Sequence, residues 1–266
     1  MPVRKRFGQN FLTDRNIQSK LISFINPEPD NVIVEIGPGK GALTEALVGK
    51  TGRLEVIEID RDLAKHLSER FGDKITIHTG DALKFDFSVY KTSAPIKVVG
   101  NLPYNISTPL LFSLFNYSPL ISDMYFLLQL EVVNRICASP ADKEYGRLSV
   151  MAQFYCQPTK LMTVPPQAFT PVPKVNSAFV RLTPLSRGMS SDKSRLLQKL
   201  ATTAFSSRRK TLRNALGQWL NPEEISSLGI NPGDRPENMS LEDFIRCTEF
   251  LYQRDLIPAK EEKDAR

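Results

Sequence analysis

Asn101-Leu102-Pro103-Tyr104 places an amide, a proline and an aromatic directly after the apolar run Ile96-Lys97-Val98-Val99-Gly100. The run predicts a buried strand, so the four residues fall where strand gives way to loop. Such a set suits a flat base that carries an exocyclic amino group. The Asn101 carbonyl oxygen and a neighbouring backbone carbonyl can accept the amino hydrogens while Tyr104 stacks on the ring. Accepting those hydrogens draws the nitrogen lone pair out of the ring and makes a poor nucleophile attackable. The bland alternative for Tyr104 is core packing.

An electrophile has a candidate site nearer the N-terminus. Glu35-Ile36-Gly37-Pro38-Gly39-Lys40-Gly41 follows the strand-like Val32–Ile36 and opens a helix. Glycines there let the backbone pass close to a nucleotide at the switch point of a doubly wound sheet, although tight strand-helix packing accounts for such a turn equally well. No G-K-[ST] follows at P-loop spacing. Glu58 ends the second strand, where a carboxylate can accept from both ribose hydroxyls, and Asp81 ends the third, where it can bind an adenine amino group. Asp60 reads as a helix N-cap, a role also open to Asp81. A glycine turn with acids at the tips of strands two and three fits S-adenosyl-L-methionine better than NAD, because no second nucleotide site is apparent.

The elements that position these residues alternate. Val32–Ile36 and Leu54–Ile59 read as strands, followed by helices through Leu43, Ala46 and Leu47 and through Leu63, Ala64 and Leu67. Ile75–His78, Lys97–Val99, a helix near Pro109–Phe115 and a strand near Met124–Leu130 continue the order. This predicts an α/β, Rossmann-like fold: a mostly parallel sheet with helices on both faces. A helix over Leu148–Tyr155 and strands at Leu161–Val164 and Ala178–Leu182 follow, the strands flanking a proline-rich segment and suited to an antiparallel edge. Ser186–Ser191 reads as a linker, so the chain divides into 1–186 and a small helical domain over 187–266. Its apolar marks are Leu196, Leu197 and Leu200, then Leu212, Leu216 and Leu220, then Leu241, Phe244 and Ile245.

The chain has 266 residues, 41% of them hydrophobic, which supplies a core and excludes general disorder. No apolar run approaches the roughly 20 residues that cross a bilayer. The basic start Arg4-Lys5-Arg6 leads into no signal core, and Cys137, Cys156 and Cys247 lack metal or disulfide spacing. A reducing, cytoplasmic setting without a metal is expected. The net charge of +6 is a mild bias towards polyanions. Arg4–Arg6 and the cluster Arg208, Arg209, Lys210 and Arg213 are the local candidates for phosphate contact, against the alternative of solvated helix faces.

With these motifs assembled, the chain resembles the ribosomal RNA adenine dimethyltransferase family over nearly its whole length. The likeness is carried by Arg6–Leu12, Val34–Gly39, Glu58-Ile59-Asp60, Gly80-Asp81-Ala82, Asn101–Ser107, Phe169–Val175 and Phe205 with Arg208–Asn214. The resemblance implies that Asn10 and Leu12 lean over the cofactor and that Gly37 lies under its methionine part. It also implies that Glu58 binds the ribose, Asp81 the adenine, that Asn101 faces the methyl group, and that Phe169 stacks on the target base opposite Tyr104. For Phe169 the bland alternative is a loop anchor among prolines. One departure is Asn176, where bacterial members usually carry Asp after the Lys-Val pair.

The reaction so implied is transfer of the sulfonium methyl to N6 of adenine, in line and mostly by positioning, with Asn101, Leu102, Tyr104 and Phe169 as the acceptor-side residues. No strong base is required, and His66 and His78 have no partner signature. The substrate implied is a pair of adjacent adenosines near the 3′ end of 16S rRNA in the small ribosomal subunit, with a monomer acting on neither DNA nor membrane. Three readings compete. Amino-methylating enzymes for DNA or protein tend to carry Pro where this chain has Leu102. A large-subunit rRNA methyltransferase of the antibiotic-resistance type shares most motifs. A ribosome-assembly factor that acts mainly by binding shares them all.

Overall fold

Five strands of this protein run parallel, and the central ones, Val32–Ile36, Arg53–Glu58 and Ile96–Asn101, are apolar enough to be largely buried on both faces, whereas the edge strand Thr76–Thr79 is half-open. The computed structural model describes residues 10–92, 95–103 and 106–256. Along the chain come β1 (Phe11–Leu12), α1 (Arg15–Ile25), β2 (Val32–Ile36), α2 (Ala42–Leu47), β3 (Arg53–Glu58), α3 (Arg61–Phe71) and β4 (Thr76–Thr79). There follow β5 (Ile96–Asn101), α4 (Ser107–Phe115), β6 (Ile121–Gln129), α5 (Leu130–Cys137), α6 (Arg147–Tyr155), β7 (Cys156–Val164), β8 (Phe169–Thr170) and β9 (Ser177–Pro184). The helices α7 (Ser191–Ser206), α8 (Leu212–Ala215), α9 (Pro222–Ser227) and α10 (Leu241–Leu256) complete the described chain.

The seven-stranded sheet has the order β4-β3-β2-β5-β6-β9-β7. From β4 to β6 neighbours are parallel, and β9 pairs antiparallel with both β6 and β7. The expected antiparallel edge is therefore present, with β7 starting five residues earlier than Leu161 and β9 extending past Ala178–Leu182 at both ends. Chain order moves outwards from β2 through β3 to β4, then resumes on the other side of β2 with β5. The crevice between the C-terminal ends of β2 and β5 is thus the topological switch point, where open α/β sheets bind ligands. Beneath it, in the body of β2 and β5, Ile33, Val34, Val98 and Val99 are fully buried.

Local chemistry sets the helix ends. The Asp14 side chain accepts from the N–H groups of Asn16 and Ile17, and α1 closes on Asn26 in the left-handed region at φ 46°. Asp60 caps α3 by accepting from the Asp62 N–H, the role anticipated for it. Asn221 and Glu224 form a reciprocal capping box on α9, with Pro222 at its first position.

Two compact units result. One holds the residues up to Asn134 with Tyr155–Ser186, and the other holds Arg135–Phe154 with the residues from Arg187 onwards. The sequence boundary at 186 left Arg135–Phe154 with the sheet, whereas these residues pack among the C-terminal helices. The Arg208 guanidinium donates to the carbonyls of Lys143 (3.1 Å) and Tyr145 (2.7 Å), and the Tyr145 ring meets Phe205 edge-on at 5.9 Å. Periodicity marks the buried face of a helix and is silent about which neighbour covers it.

Two further expectations are corrected in this unit. Leu212, Leu216 and Leu220 are all buried, yet only Leu212–Ala215 is helical. The Arg208–Lys210 cluster lies on turns after α7 ends at Ser206, so it is not a helix face. Arg208 donates to the two carbonyls and stands 3.8 Å from Glu237, while its side chain remains exposed. Arg209, Lys210 and Arg213 are exposed. The basic starts Arg4–Arg6 and the charged end lie outside the described residues.

Candidate functional site

The glycine turn after β2 is bent by backbone conformations that favour glycine: Gly37, Gly39 and Gly41 have φ of +66°, +58° and +83°. A side chain at Gly39 would also stand 2.9 Å from the Phe11 ring, so β1 lies tight against the turn. A Cβ at Gly37 would sit 3.9 Å from the Asn101 carbonyl oxygen, which shows how closely the ends of β2 and β5 approach.

Glu58, at the tip of β3, holds the turn from below. One carboxylate oxygen accepts from the Gly39 N–H at 3.1 Å and the other from the Asp60 N–H at 2.9 Å. Burial raises its pKa, and the bonds from Asp60 and Gly39 pull the other way. Each oxygen keeps a second acceptor direction, so stapling the turn and receiving ribose hydroxyls are compatible. Asp81 is half-buried, and one of its oxygens accepts from the Leu83 N–H at 2.9 Å, an arrangement that fixes the carboxylate at the cavity rim.

Glu35 was quoted in the glycine motif without a role. It is 2% exposed and accepts from the Thr44 hydroxyl at 2.6 Å. Burial, offset in part by that bond and reinforced by the charge of Glu58, raises it to about 7. An acid inside an otherwise apolar strand is the signal that could have marked it. Two buried carboxylates side by side favour a cationic ligand, as the sulfonium and ammonium of S-adenosylmethionine would provide.

Asn101 is oriented from the N-terminal segment. Its side-chain nitrogen donates to the Asn10 carbonyl at 2.9 Å, so its carbonyl oxygen is the acceptor left to offer. The segment is itself anchored: β1 pairs antiparallel with β8, with Leu12 opposite Phe169, and the Thr13 N–H donates to the Ala168 carbonyl at 2.8 Å. Leu102 is buried, and its N–H donates to the Leu127 carbonyl at 3.2 Å.

These residues share one cavity of about 330 Å³. Asn10, Leu12, Gly37, Glu58, Asp81, Asn101 and Leu102 all line it, together with Glu35 and the apolar Ile57, Ile59 and Leu83 that sequence reasoning passed over. Ile59 is 47% exposed, an unusual exposure that suits a wall for a planar ring. The donor set, the apolar walls and the uncompensated carboxylates fit an adenosine-based cation.

Two site expectations fare differently. Tyr104 lies outside the described residues. Phe169 does not line the cavity: it is 2% exposed, packed with Leu12, Tyr125 and Phe179 in the core. Pairing of β1 with β8 turns its ring inwards, so the anchor reading replaces base stacking for this conformation. His78 is taken up by Glu55, 2.5 Å away on β3, and neither histidine lines the cavity. Cys156 and Cys247 are buried, and burial pushes both thiols up to about 12, consistent with inert side chains.

The model of a family described as ribosomal RNA adenine dimethylase matches residues 2–253. A ribosomal RNA small subunit methyltransferase A of Shewanella sp. is 52% identical over 95% of this chain and 96% of its own length. A protein of the same description from Aromatoleum aromaticum is 51% identical over 94% of both chains. Among solved structures, a dimethyladenosine transferase from Plasmodium falciparum superposes with a TM-score of 0.77 at 25% identity, covering 92% of this chain and 98% of that one. The 23S rRNA methyltransferase ErmE gives 0.71 at 25% identity, over 92% and 100%.

Proposed function

Because this chain belongs to the ribosomal RNA adenine dimethylase family, matched over residues 2–253, we propose that it dimethylates N6 of two adjacent adenosines near the 3′ end of 16S rRNA in the small ribosomal subunit. S-adenosyl-L-methionine would supply the electrophilic methyl group. The observation that carries the reading is the Asn101 amide, turned by the Asn10 carbonyl so that its oxygen is the free acceptor for an amino group.

Within the cavity, Glu58 takes the ribose hydroxyls, Asp81 the adenine amino group, and Gly37 lets the backbone pass beneath the methionine part. Asn101 and Leu102 hold the target amine in line, which is the main acceleration such a site needs. The amine sheds its proton to water after methylation, so no histidine base is required. Tyr104 stacks on the target base in this reading, and Phe169 serves by holding β1 and thereby Asn10. Both halves of the site come from one chain, so a single copy suffices, and the substrate places the protein in the cytoplasm where ribosomes assemble.

A large-subunit reading finds support in the likeness to ErmE, but relatives about twice as similar in sequence carry the small-subunit description. The test offers immature small subunits, large-subunit RNA and DNA with labelled cofactor. Incorporation is expected in the small subunit alone; labelling of either alternative instead would overturn the assignment. Asn101→Ala should lower kcat by about 100-fold, the scale of a misplaced reacting group, with the folded state intact. If that variant failed to support subunit maturation only because methylation was lost, a binding-only role would be excluded.

A further inference from the structure

A second depression opens on the same edge of the sheet, about 480 Å³ in volume, within the range of small-molecule sites. Three amides line it: Gln129 at the end of β6, Asn134 on α5, and Asn176 just before β9. Pro166 and Val175 supply apolar surface, and Lys174 stands at the margin.

Its position follows from the strand register. Asn101 pairs with Leu127 across parallel β5 and β6, and Gln129 lies two residues further along β6. One strand spacing and two residue rises place the Gln129 Cα about 8 Å from that of Asn101. Among the described residues, none lines both this groove and the first cavity.

The lining has a definite chemistry. Asn134 accepts from the Lys160 ammonium at 3.4 Å through its side-chain oxygen, which fixes the amide so that its NH₂ is available as donor. The Asn176 carbonyl accepts from the Leu130 N–H at 2.9 Å and holds the start of α5 against the loop. Asn and Gln amides match the paired donor and acceptor on the N6/N7 edge of adenine, with bidentate contacts that discriminate between bases. Exposed Val175 and half-buried Pro166 offer apolar contact to a base face, and Lys174 offers a phosphate contact. Glu131 also lines the groove, where a carboxylate accepts from an amino group and keeps phosphate to the Lys174 side.

We propose that this groove is the subsite for the adenosine adjacent to the one being methylated, read through Gln129, Asn134 and Asn176. The inference rests on the proposed function and adds to it: one adenosine occupies the Asn101 cavity while its neighbour is held next door. An enzyme built this way recognises the second adenosine during methylation of the first. Base identity at the neighbouring position then governs rate at the target.

The experiment is a cycle between protein and RNA. Full-length wild type and Gln129→Ala/Asn134→Ala are compared on a small subunit carrying both adenosines and on one whose neighbour is replaced by cytidine, with methylation of the remaining adenosine read by mass spectrometry. Wild type should lose about tenfold in kcat/KM when the neighbour is replaced, the scale of one lost bidentate base contact. The variant should lose a similar factor on the unaltered substrate and nothing further on the altered one. Equal losses from both changes acting independently, or no loss from the variant, would overturn the proposal. Binding of S-adenosylhomocysteine, followed by calorimetry, checks that each variant is folded. If the double variant fails that check, Asn134→Ala alone is read by the same criterion. Absence of methylation by wild type on any subunit would instead sink the proposed function, so the two failures are distinct.

Discussion

Glu55 and Glu58 stand three residues apart on β3, both buried, and they have opposite fates. Glu55 is surrounded by partners that neutralise or quench it: Arg53 at 2.6 Å, His78 at 2.5 Å and the Tyr90 hydroxyl at 2.8 Å. Donation to Glu55, after burial as the larger cause, raises the pKa of the Tyr90 phenol. Glu58 is held by two backbone N–H groups instead, and neighbouring Glu35 by a hydroxyl. A carboxylate closed by a guanidinium, an imidazole and a phenol has spent its charge on the fold. One fixed by neutral donors stays available, and burial without a countercharge raises its pKa, a setting that a positive ligand would relieve.

The sharpest way to break this contrast is Glu58→Ala. Loss of hydrogen bonds to a charged acceptor, at roughly 1.5–3 kcal/mol each, should weaken S-adenosylmethionine binding by about 100-fold in titration calorimetry. A change below threefold would show that Glu58 only staples the glycine turn. Glu55→Ala should act on stability instead. The pair is half open to water through Arg53, so about 2 kcal/mol of unfolding free energy is expected rather than the full cost of a buried pair, with cofactor affinity within threefold. Equal effects of the two variants on affinity would erase the distinction.

A smaller, pH-dependent effect separates Glu35 from both. In the unfolded chain it loses its proton near its ordinary 4.5, in the fold only near 7. The folded state therefore binds more protons between those values, and stability falls as pH rises through that window. Denaturant unfolding without cofactor should show wild type losing on the order of 1–2 kcal/mol more than Glu35→Gln between pH 5 and 8. A cationic ligand prefers the ionised form, so cofactor affinity should rise over the same range in wild type and flatten in the variant.

Much of the cavity was legible from residues alone. Gly37, Glu58, Asp81 and Asn101 each sit at the C-terminal tip of a strand, and strands announce themselves by apolar runs that end abruptly. The local turn chemistry at Asp60 was equally readable. Glu35 was less so, because an acid in a strand has no periodic meaning until the fold shows which face it occupies. The pattern Leu212, Leu216, Leu220 marked burial correctly and helix wrongly, since spacing reports the covered face and not the backbone path between the covered residues.

Strand and helix alternation, the tight glycine turn after β2 and the acceptor amide depend on neighbours a few residues away and were legible in the residues, whereas the strand order that makes the crevice beside that turn a switch point is a property of the assembled sheet. Tertiary structure decided that Phe169 is core, that Asn10 orients Asn101, and that Arg135–Phe154 join the helical unit. Each depends on partners remote in sequence, as the Thr13 hydroxyl bonded to the Ala168 carbonyl 155 residues onward shows. Short strands such as β1 and β8 are too brief to carry a period of their own. They form because burial of Leu12 and Phe169 against the core outweighs the cost of ordering them, a balance that exists only once the sheet is assembled.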